Sequence, residues 1–191
     1  IKLQGNIVVI GGGNVAMDTA RSALREGADS VQLFCLESRE EMPAFSHEIE
    51  QAEKDGIIIF PSRGPVKINS QNQHVTSIEF VNCLSVFDKE RRFNPEYGQE
   101  NKTIQADTIL VAIGLQVDSP ELECSGFISK GLIKADFETM RTNDPKVFAA
   151  GDGAFGPSAV VDAMSHGHRA SYYIKAFLEG RENPIPYQIP Y

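Results

Sequence analysis

The sequence predicts an α/β fold in which a parallel sheet is joined to an antiparallel β-meander. Over Asn6–Phe60, short β-branched runs alternate with helical patterns, which is typical of βαβ units and a parallel sheet. A glycine run separates the first strand from the first helix. From Val66 onward the pattern changes to extended segments broken by polar turns, as expected for antiparallel strands.

The first elements form one βαβ unit. Asn6–Ile10 is a short apolar run that predicts a strand, and alanine and leucine at helical spacing predict a helix over Asn14–Glu26. Gly27 is placed to end this helix, because glycine readily adopts the conformation found at helix C-termini. Ser30–Leu36 is a second continuous apolar run, suited to a strand covered on both faces.

One further helix and two further strands are predicted for the parallel sheet. Phe45–Lys54 predicts a helix with Ser46 as its candidate N-cap, and Ile57–Phe60 predicts a third parallel strand. Thr108–Ile113, which ends at Gly114, predicts a buried strand that closes the sheet.

The remaining elements are the meander and a second part of the chain. Val66–Ile68 and Val75–Phe87 are predicted to be strands, and the polar stretch Asp88–Lys102 is predicted to be an exposed loop. The polar, proline-containing stretch Gln116–Glu123 predicts a boundary between domains at 1–115 and 116–191. The second part is expected to contain a hairpin at Gly131, a strand at Val147–Ala150, a helix over Ser158–Leu178 and an extended tail with Pro184, Pro186 and Pro190.

Composition narrows the function classes. Eighteen Lys and Arg oppose 26 Asp and Glu, giving a net charge of −8 with no basic cluster, so nucleic acid is not an expected partner. The apolar runs are too short to cross a bilayer and no signal segment opens the chain, which predicts a cytoplasmic protein without a membrane contact. Cys35, Cys83 and Cys124 are too few and too widely spaced for a disulfide framework or an iron–sulfur ligand set, so reduced thiols are expected.

The glycine run carries the predicted nucleotide site. G-G-G-N-V-A at 11–16 fits the dinucleotide-binding pattern G-x-G-x-x-G/A between a strand and a helix, which makes the sheet Rossmann-like. Gly11 permits the tight turn, Gly13 lets the backbone approach a pyrophosphate, and Ala16 lets the helix pack closely on the strand. The amides at the helix start would hydrogen-bond the phosphates. The predicted cofactor-binding residues are Gly11, Gly12, Gly13, Asn14, Val15 and Ala16, and a purely structural glycine turn is the alternative.

Residues after the second strand are candidates for ribose recognition, because an acidic residue is expected about 20 positions beyond the glycine motif. Glu37, Ser38 and Arg39 occupy this place. Glu37 would accept hydrogen bonds from a ribose diol and repel a 2′-phosphate, whereas Arg39 would attract one. The alternative is that both are solvated loop charges, with Arg39 paired to Glu40 or Glu41.

Several separated motifs together resemble one family. They are V-I-G-G-G-N-V-A-M-D-T-A-R (9–21), S-R-E-E-M-P-A (38–44), A-D-T-I-L-V-A-I-G (106–114), V-F-A-A-G-D (147–152) and G-P-S-A-V-V-D-A-M-S-H-G-H-R-A (156–170). In this order they resemble the pyridine-nucleotide-dependent flavoprotein reductases typified by the small subunit of bacterial glutamate synthase, with dihydropyrimidine dehydrogenase as a more distant relative. The resemblance implies a fragment covering the NAD(P)-binding domain and the C-terminal portion of an FAD-binding domain.

The resemblance also implies roles for single residues. The segment Ala112, Ile113 and Gly114 would lead the chain back toward the flavin, and Gly151 with Asp152 would bind its ribityl or phosphate region. Ala159, Val160 and Val161 would begin a helix that points at the isoalloxazine, where a helix N-terminus stabilises the negative charge of reduction. His166 and His168 in that helix are interpreted as structural, because no nucleophile or metal partner is near them in the sequence.

Two departures from the family bear on function. NADPH-using members commonly have Arg-Arg where this chain has Leu36-Glu37, so NADH becomes a candidate, while Arg39 alone could still accept NADPH. The family's N-terminal flavin fingerprint and an upstream cysteine-rich cluster domain are not in these residues, so the chain resembles an excised piece that is inactive alone.

The whole protein is expected to pass hydride from NADH or NADPH to FAD, with an electron-accepting subunit or iron–sulfur domain as partner. The cofactors carry this chemistry, so no catalytic residue is assigned. Two alternatives stay open: a regulatory module that binds the nucleotide without turnover and, less favoured, a dehydrogenase without flavin, for which no catalytic Tyr-x-x-x-Lys is found.

Overall fold

The computed structural model describes residues 2–115, 126–129 and 131–188. The chain divides into two compact units, an N-terminal unit over Ile1–Gly114 and a C-terminal unit over Leu115–Tyr191. The boundary stretch predicted at Gln116–Glu123 lies outside the described residues.

A four-stranded parallel sheet forms the first layer of the N-terminal unit. Its strands are β1 (Asn6–Ile10), β2 (Ser30–Phe34), β3 (Ile58–Phe60) and β7 (Thr108–Val111), in the order β3-β2-β1-β7. Helices α1 (Asn14–Arg25) and α2 (Ser46–Lys54) connect these strands. The helix α1 buries an alanine-rich face in one core cluster with Val9 and Leu33, because small side chains let the helix approach the sheet closely. The predicted α/β fold with a parallel sheet is confirmed.

Two local predictions in this sheet are wrong. Ser46 is the first residue of α2 rather than its N-cap, because Phe45 has the extended backbone and its carbonyl oxygen accepts hydrogen bonds from the amides of Glu48 and Ile49. The strand β7 closes the sheet at its edge, as predicted, but it is only half-buried, and Val111 at its end is largely exposed.

An antiparallel sheet follows in the same unit. It contains β4 (Arg63–Gln71), β5 (His74–Phe87) and β6 (Phe93–Gln105), in the order β4-β5-β6. The Phe34 ring of β2 is stacked between the rings of Phe60 and Phe80, with ring centroids 4.7 Å and 4.0 Å away. These aromatic contacts join the two sheets into one core.

The predicted loop over Asp88–Lys102 is wrong, since most of it belongs to β6. Most of its residues are polar and exposed, so the alternation that identifies a half-buried strand is missing. Backbone pairing with β5 alone defines this edge strand. Pro95 fits within it because an edge strand leaves one side of its backbone unpaired.

The C-terminal unit contains one small hairpin and two helices among its described residues. The hairpin, β8 (Ile128–Ser129) with β9 (Leu132–Ile133), turns at Gly131 as predicted. A short helix α3 (Asp152–Phe155) precedes the long helix α4 (Val160–Leu178). The strand predicted at Val147–Ala150 is wrong: only a single bridge joins Phe148 to Arg141, because a turn at Asp144–Val147 leaves few residues to pair.

Candidate functional site

The turn after β1 can be built only from glycine at its first position. Gly11 has φ of +143°, and a β-carbon there would lie 2.3 Å from the carbonyl oxygen of Ala112. The Gly11 amide donates to the carbonyl oxygen of Phe34, which fixes the turn on β2. The predicted tight turn is therefore enforced by a close approach of two backbone segments.

The turn presents four backbone amides for which the described residues supply no acceptor. Gly13 is the N-cap of α1, and its carbonyl oxygen accepts hydrogen bonds from the amides of Ala16 and Met17. Within the part of the chain that the structure describes, no acceptor engages the amides of the cradle, which is the segment Gly12, Gly13, Asn14 and Val15. A β-carbon on Gly13 would meet nothing within 4 Å, so the space beside the cradle is open. Such an arrangement can bind an anion.

The carboxylate of Glu37 lies against this cradle. A β-carbon on Gly12 would be 2.8 Å from Oε2 of Glu37 and 3.1 Å from Cβ of Cys35. The Glu37 backbone is held by the Ser62 amide, which donates to its carbonyl oxygen. Burial, and then the charge of Glu37, raises the pKa of Cys35 to about 12, so this thiol stays protonated.

Ser38 and Arg39 are engaged with other protein groups. The Ser38 hydroxyl donates to the Glu41 carboxylate at 2.8 Å, and the Arg39 guanidinium donates to Glu53 of α2 at 2.7 Å. The suggested pairing of Arg39 with Glu40 or Glu41 is wrong. The true partner lies 14 positions along the chain, a contact that sequence spacing did not indicate.

Sequence reasoning missed two contacts that hold the cradle. The Phe45 amide donates to Oδ1 of Asn14 at 2.8 Å, and the Ala44 amide donates to the carbonyl oxygen of Gly12 at 3.1 Å. Both donors lie at the start of α2, at or next to the end of the S-R-E-E-M-P-A stretch. That stretch is one of the motifs on which the family resemblance rests, and this was the available signal.

The predicted return segment leaves the sheet beside the cradle. The Ala112 amide donates to the carbonyl oxygen of Ile10, so Ala112 continues β7 along β1. Ile113 is exposed, and Gly114 has φ of +104°. The carboxyl ends of β1, β2 and β7 therefore bring the glycine turn, Glu37 and Ala112 to one edge of the parallel sheet.

A second group of predicted residues lies within the C-terminal unit. Gly151, with φ of +67°, is the N-cap of α3, and Oδ1 of Asp152 accepts a 3.3 Å hydrogen bond from the Ser158 hydroxyl. Ala159 is the N-cap of α4, whose first residues are exposed, with Val160 at 76%. Asp152 is thereby held next to the start of α4.

The two histidines of α4 differ in environment. His166 is buried, with its ring 4.9 Å from the Phe155 ring centroid and 5.5 Å from that of Phe137. His168 is exposed. Among the described residues no acidic, histidine and cysteine cluster suited to a metal is found, and no helix is long and apolar enough to span a membrane. Cys35 and Cys83 are free, buried thiols, and Cys124 lies outside the described residues.

The sequence profile of one family, described as pyridine nucleotide-disulphide oxidoreductase, matches residues 1–167. This chain belongs to that family. The predicted resemblance to flavoprotein reductases is confirmed. Proteins of this pyridine nucleotide-disulphide oxidoreductase family bind FAD and NAD(P)H, so the cofactor classes predicted from the sequence are those of the family.

Two relatives illustrate the similarity within the family. The NADP(+)-dependent formate dehydrogenase subunit beta of Moorella thermoacetica is 38% identical over 188 residues, covering 95% of this chain and 26% of the relative. The glutamate synthase [NADPH] small chain of Azospirillum brasilense is 33% identical over 190 residues, covering 94% of this chain and 39% of the relative. The chain thus spans well under half the length of these relatives.

Solved structures agree on the fold. The thioredoxin reductase of Lactococcus lactis matches 92% of this chain and 53% of its own length, with a TM-score of 0.77 and 22% identity. FprA from Mycobacterium tuberculosis in complex with NADPH matches 96% of this chain and 56% of its own, with a TM-score of 0.69 and 16% identity. At these identities the likeness shows the fold alone.

Proposed function

We propose that this chain is the nicotinamide-nucleotide-binding part of an FAD-dependent NAD(P)H:acceptor oxidoreductase similar to the glutamate synthase small subunit. In this proposal residues 1–115 bind the nucleotide and residues 116–191 contribute to the flavin site. The observation that carries it is the cradle, whose four amides have no acceptor among the described residues and whose Gly12 lies against the carboxylate of Glu37. A dinucleotide site needs such amides to bind the diphosphate, whereas a glycine turn with a purely structural role does not need them.

The cradle would bind the diphosphate. Its amides and the N-terminal end of the α1 dipole both favour an anion there, and the open space at Gly13 lets oxygen atoms approach the backbone. Ala16 is fully buried, so α1 lies close to the sheet and directs its first turn at the site. Ala112–Gly114 would line the same edge.

Glu37 would select the nucleotide. Its carboxylate accepts hydrogen bonds from a ribose diol and repels a 2′-phosphate. Arg39 already forms a 2.7 Å ion pair with Glu53, so binding a 2′-phosphate would require breaking this pair. We therefore expect weaker selectivity for NADPH than in relatives with an Arg-Arg pair, although the two relatives above are named for NADP(H).

The C-terminal unit would supply groups for FAD. FAD, when bound, would supply the redox chemistry of the reaction. Gly151 and Asp152 would hydrogen-bond the ribityl or phosphate region, and the amides at Ala159–Val161 would stabilise negative charge on the ring. The relatives are named as a beta subunit and a small chain, which supports an electron-accepting subunit or iron–sulfur domain as partner.

Calorimetric titration of NADH and NADPH into the chain tests the nucleotide-binding part of the proposal. We expect Glu37→Gln to weaken NADH binding about fivefold or more and to narrow the difference from NADPH, because a neutral amide no longer repels the phosphate. Glu40→Gln, an exposed neighbour without a hydrogen-bond partner among the described residues, is the matched control. A strong NADPH preference that disappears in Arg39→Ala would overturn the assignment of Glu37.

The flavin-binding part of the proposal is tested on the complete protein that contains this chain. This protein is reconstituted with FAD. The expected result is a yellow protein that oxidises a reduced nicotinamide. A complete protein that binds NADH and stays colourless would instead favour the regulatory module without turnover.

A further inference from the structure

An aromatic and an aliphatic side chain meet over Gly64, next to the residue proposed to bind the ribose. A β-carbon built on Gly64 would lie 2.5 Å from Cε1 of Tyr97 and 3.2 Å from Cδ2 of Leu36. Gly64 belongs to β4 and Tyr97 to β6, whereas Leu36 follows β2. The tertiary fold therefore brings three distant parts of the chain to one point.

Tyr97 retains free surface and a free donor in this contact. The residue is 48% exposed, and its hydroxyl makes no hydrogen bond with the described part of the chain. Partial burial raises the pKa of Tyr97, so the phenol stays protonated at neutral pH. One side of the ring packs over Gly64, and the remaining surface can contact a ligand.

The contact lies on a continuous path from the cradle. The Glu37 carboxylate lies against Gly12, and Leu36 directly precedes Glu37. In a nucleoside the base is attached to C1′, the neighbour of the ribose carbon that bears the 2′-hydroxyl. A diol bound at Glu37 therefore brings its base to the residues that flank Glu37.

We propose that Tyr97 is a specificity-determining residue that stacks on the adenine base of the nucleotide, with Leu36 as the apolar wall beside it. The proposal rests on the proposed function, because it needs the diphosphate at the cradle and the ribose at Glu37. Aromatic side chains are effective platforms for bases, since every base has a flat π-face. Gly64 leaves room for the Tyr97 ring, because any side chain at this position would displace the ring.

Calorimetry with three ligands on the full chain tests this proposal. Tyr97→Ala is expected to raise the Kd of NADH and of ADP-ribose about tenfold, because stacking on the adenine is lost. Reduced nicotinamide mononucleotide has no adenine, so its Kd stays unchanged. Tyr97→Phe keeps the ring and binds within about twofold of the wild type.

Phe93→Ala is the matched control, because it removes an exposed aromatic from the same strand β6. It is expected to leave all three Kd values unchanged. Gly64→Ala, with its fold verified by circular dichroism, should weaken the binding of ADP-ribose as Tyr97→Ala does.

Three outcomes would overturn the proposal. If Tyr97→Ala binds NADH like the wild type, Tyr97 has no role in recognition while the proposed function stands. If Tyr97→Ala weakens the binding of reduced nicotinamide mononucleotide as much as that of NADH, the role of Tyr97 is structural. If the wild-type chain binds neither NADH nor ADP-ribose, both this proposal and the proposed function fail.

Discussion

The glycine cradle and the start of α4 are both helix N-termini, but they differ in how firmly the protein defines them. The cradle lies between β1, β2 and β7, and Gly11 is held by backbone contacts to Phe34 and Ala112. The start of α4 is exposed, and a β-carbon on Gly151 would contact only Ala163, at 3.9 Å. We infer that this chain preorganises the proposed nucleotide site more completely than the proposed flavin site.

The largest expected effect is on the cradle. Gly11→Ala would combine an unfavourable φ with a clash against the Ala112 carbonyl, and we expect it to lower the free energy of unfolding by about 4 kcal/mol. Urea denaturation followed by circular dichroism measures this. Gly13→Ala, whose β-carbon meets open space, is the control and should cost about 1 kcal/mol or less. Equal losses in both variants would contradict an enforced turn.

Methionine oxidation compares the two helix starts directly. Met17 in the first turns of α1 is 0% exposed, whereas Met164 in the early part of α4 is 59% exposed. Dilute peroxide should therefore oxidise Met164 more than about tenfold faster than Met17, because access controls the reaction. Peptide mass spectrometry over time gives both rates from one sample. Similar rates would mean that the cradle opens as readily as the start of α4.

Gly151→Ala should have a smaller effect than Gly11→Ala. The positive φ of Gly151 strains an alanine, but the added methyl group would meet Ala163 only at an ordinary contact distance. We expect a loss of about 2 kcal/mol of unfolding free energy, from backbone strain alone. The measurement is again urea denaturation, and a loss as large as that of Gly11→Ala would remove the difference between the two sites.

The smallest expected effect is a pH dependence in the helix pair that supports the cradle. Arg21 of α1 donates to Asp55 at the end of α2 at 2.7 Å, and this hydrogen bond lowers the pKa of Asp55. The resulting stabilisation is present above the unfolded pKa of 3.8 and is lost as the pH falls through the lower folded value. Asp55→Asn should therefore show a shallower fall in Tm between about pH 5 and pH 2 than the wild type. An unchanged pH profile would show that this pair contributes nothing.

Local patterns in the sequence predicted the cradle well. The strand Asn6–Ile10 and the end of α1 just before Gly27 follow from short-range periodicity and glycine chemistry, which act within a few residues. The edge strand β6 was missed because it is defined by backbone pairing with β5, while most of its side chains are polar.

Contacts between distant parts of the chain could not be predicted from spacing. The ion pair of Arg39 with Glu53 and the meeting of Leu36 with Tyr97 over Gly64 depend on how helices and sheets pack. The motif identified Glu37 as a candidate, but its position against Gly12 required the tertiary structure. Sequence thus indicates the chemistry of the site, and packing decides which charges stay free for a ligand.

The central claim is that the free amides of Gly12, Gly13, Asn14 and Val15 bind the diphosphate of a nicotinamide nucleotide. Amide NMR spectra of the ¹⁵N-labelled chain, titrated with ADP-ribose, test this most directly. The account predicts the largest saturable shifts at these four amides, with weaker shifts in α4. Binding that leaves these amides unshifted, or no binding at all, would contradict it.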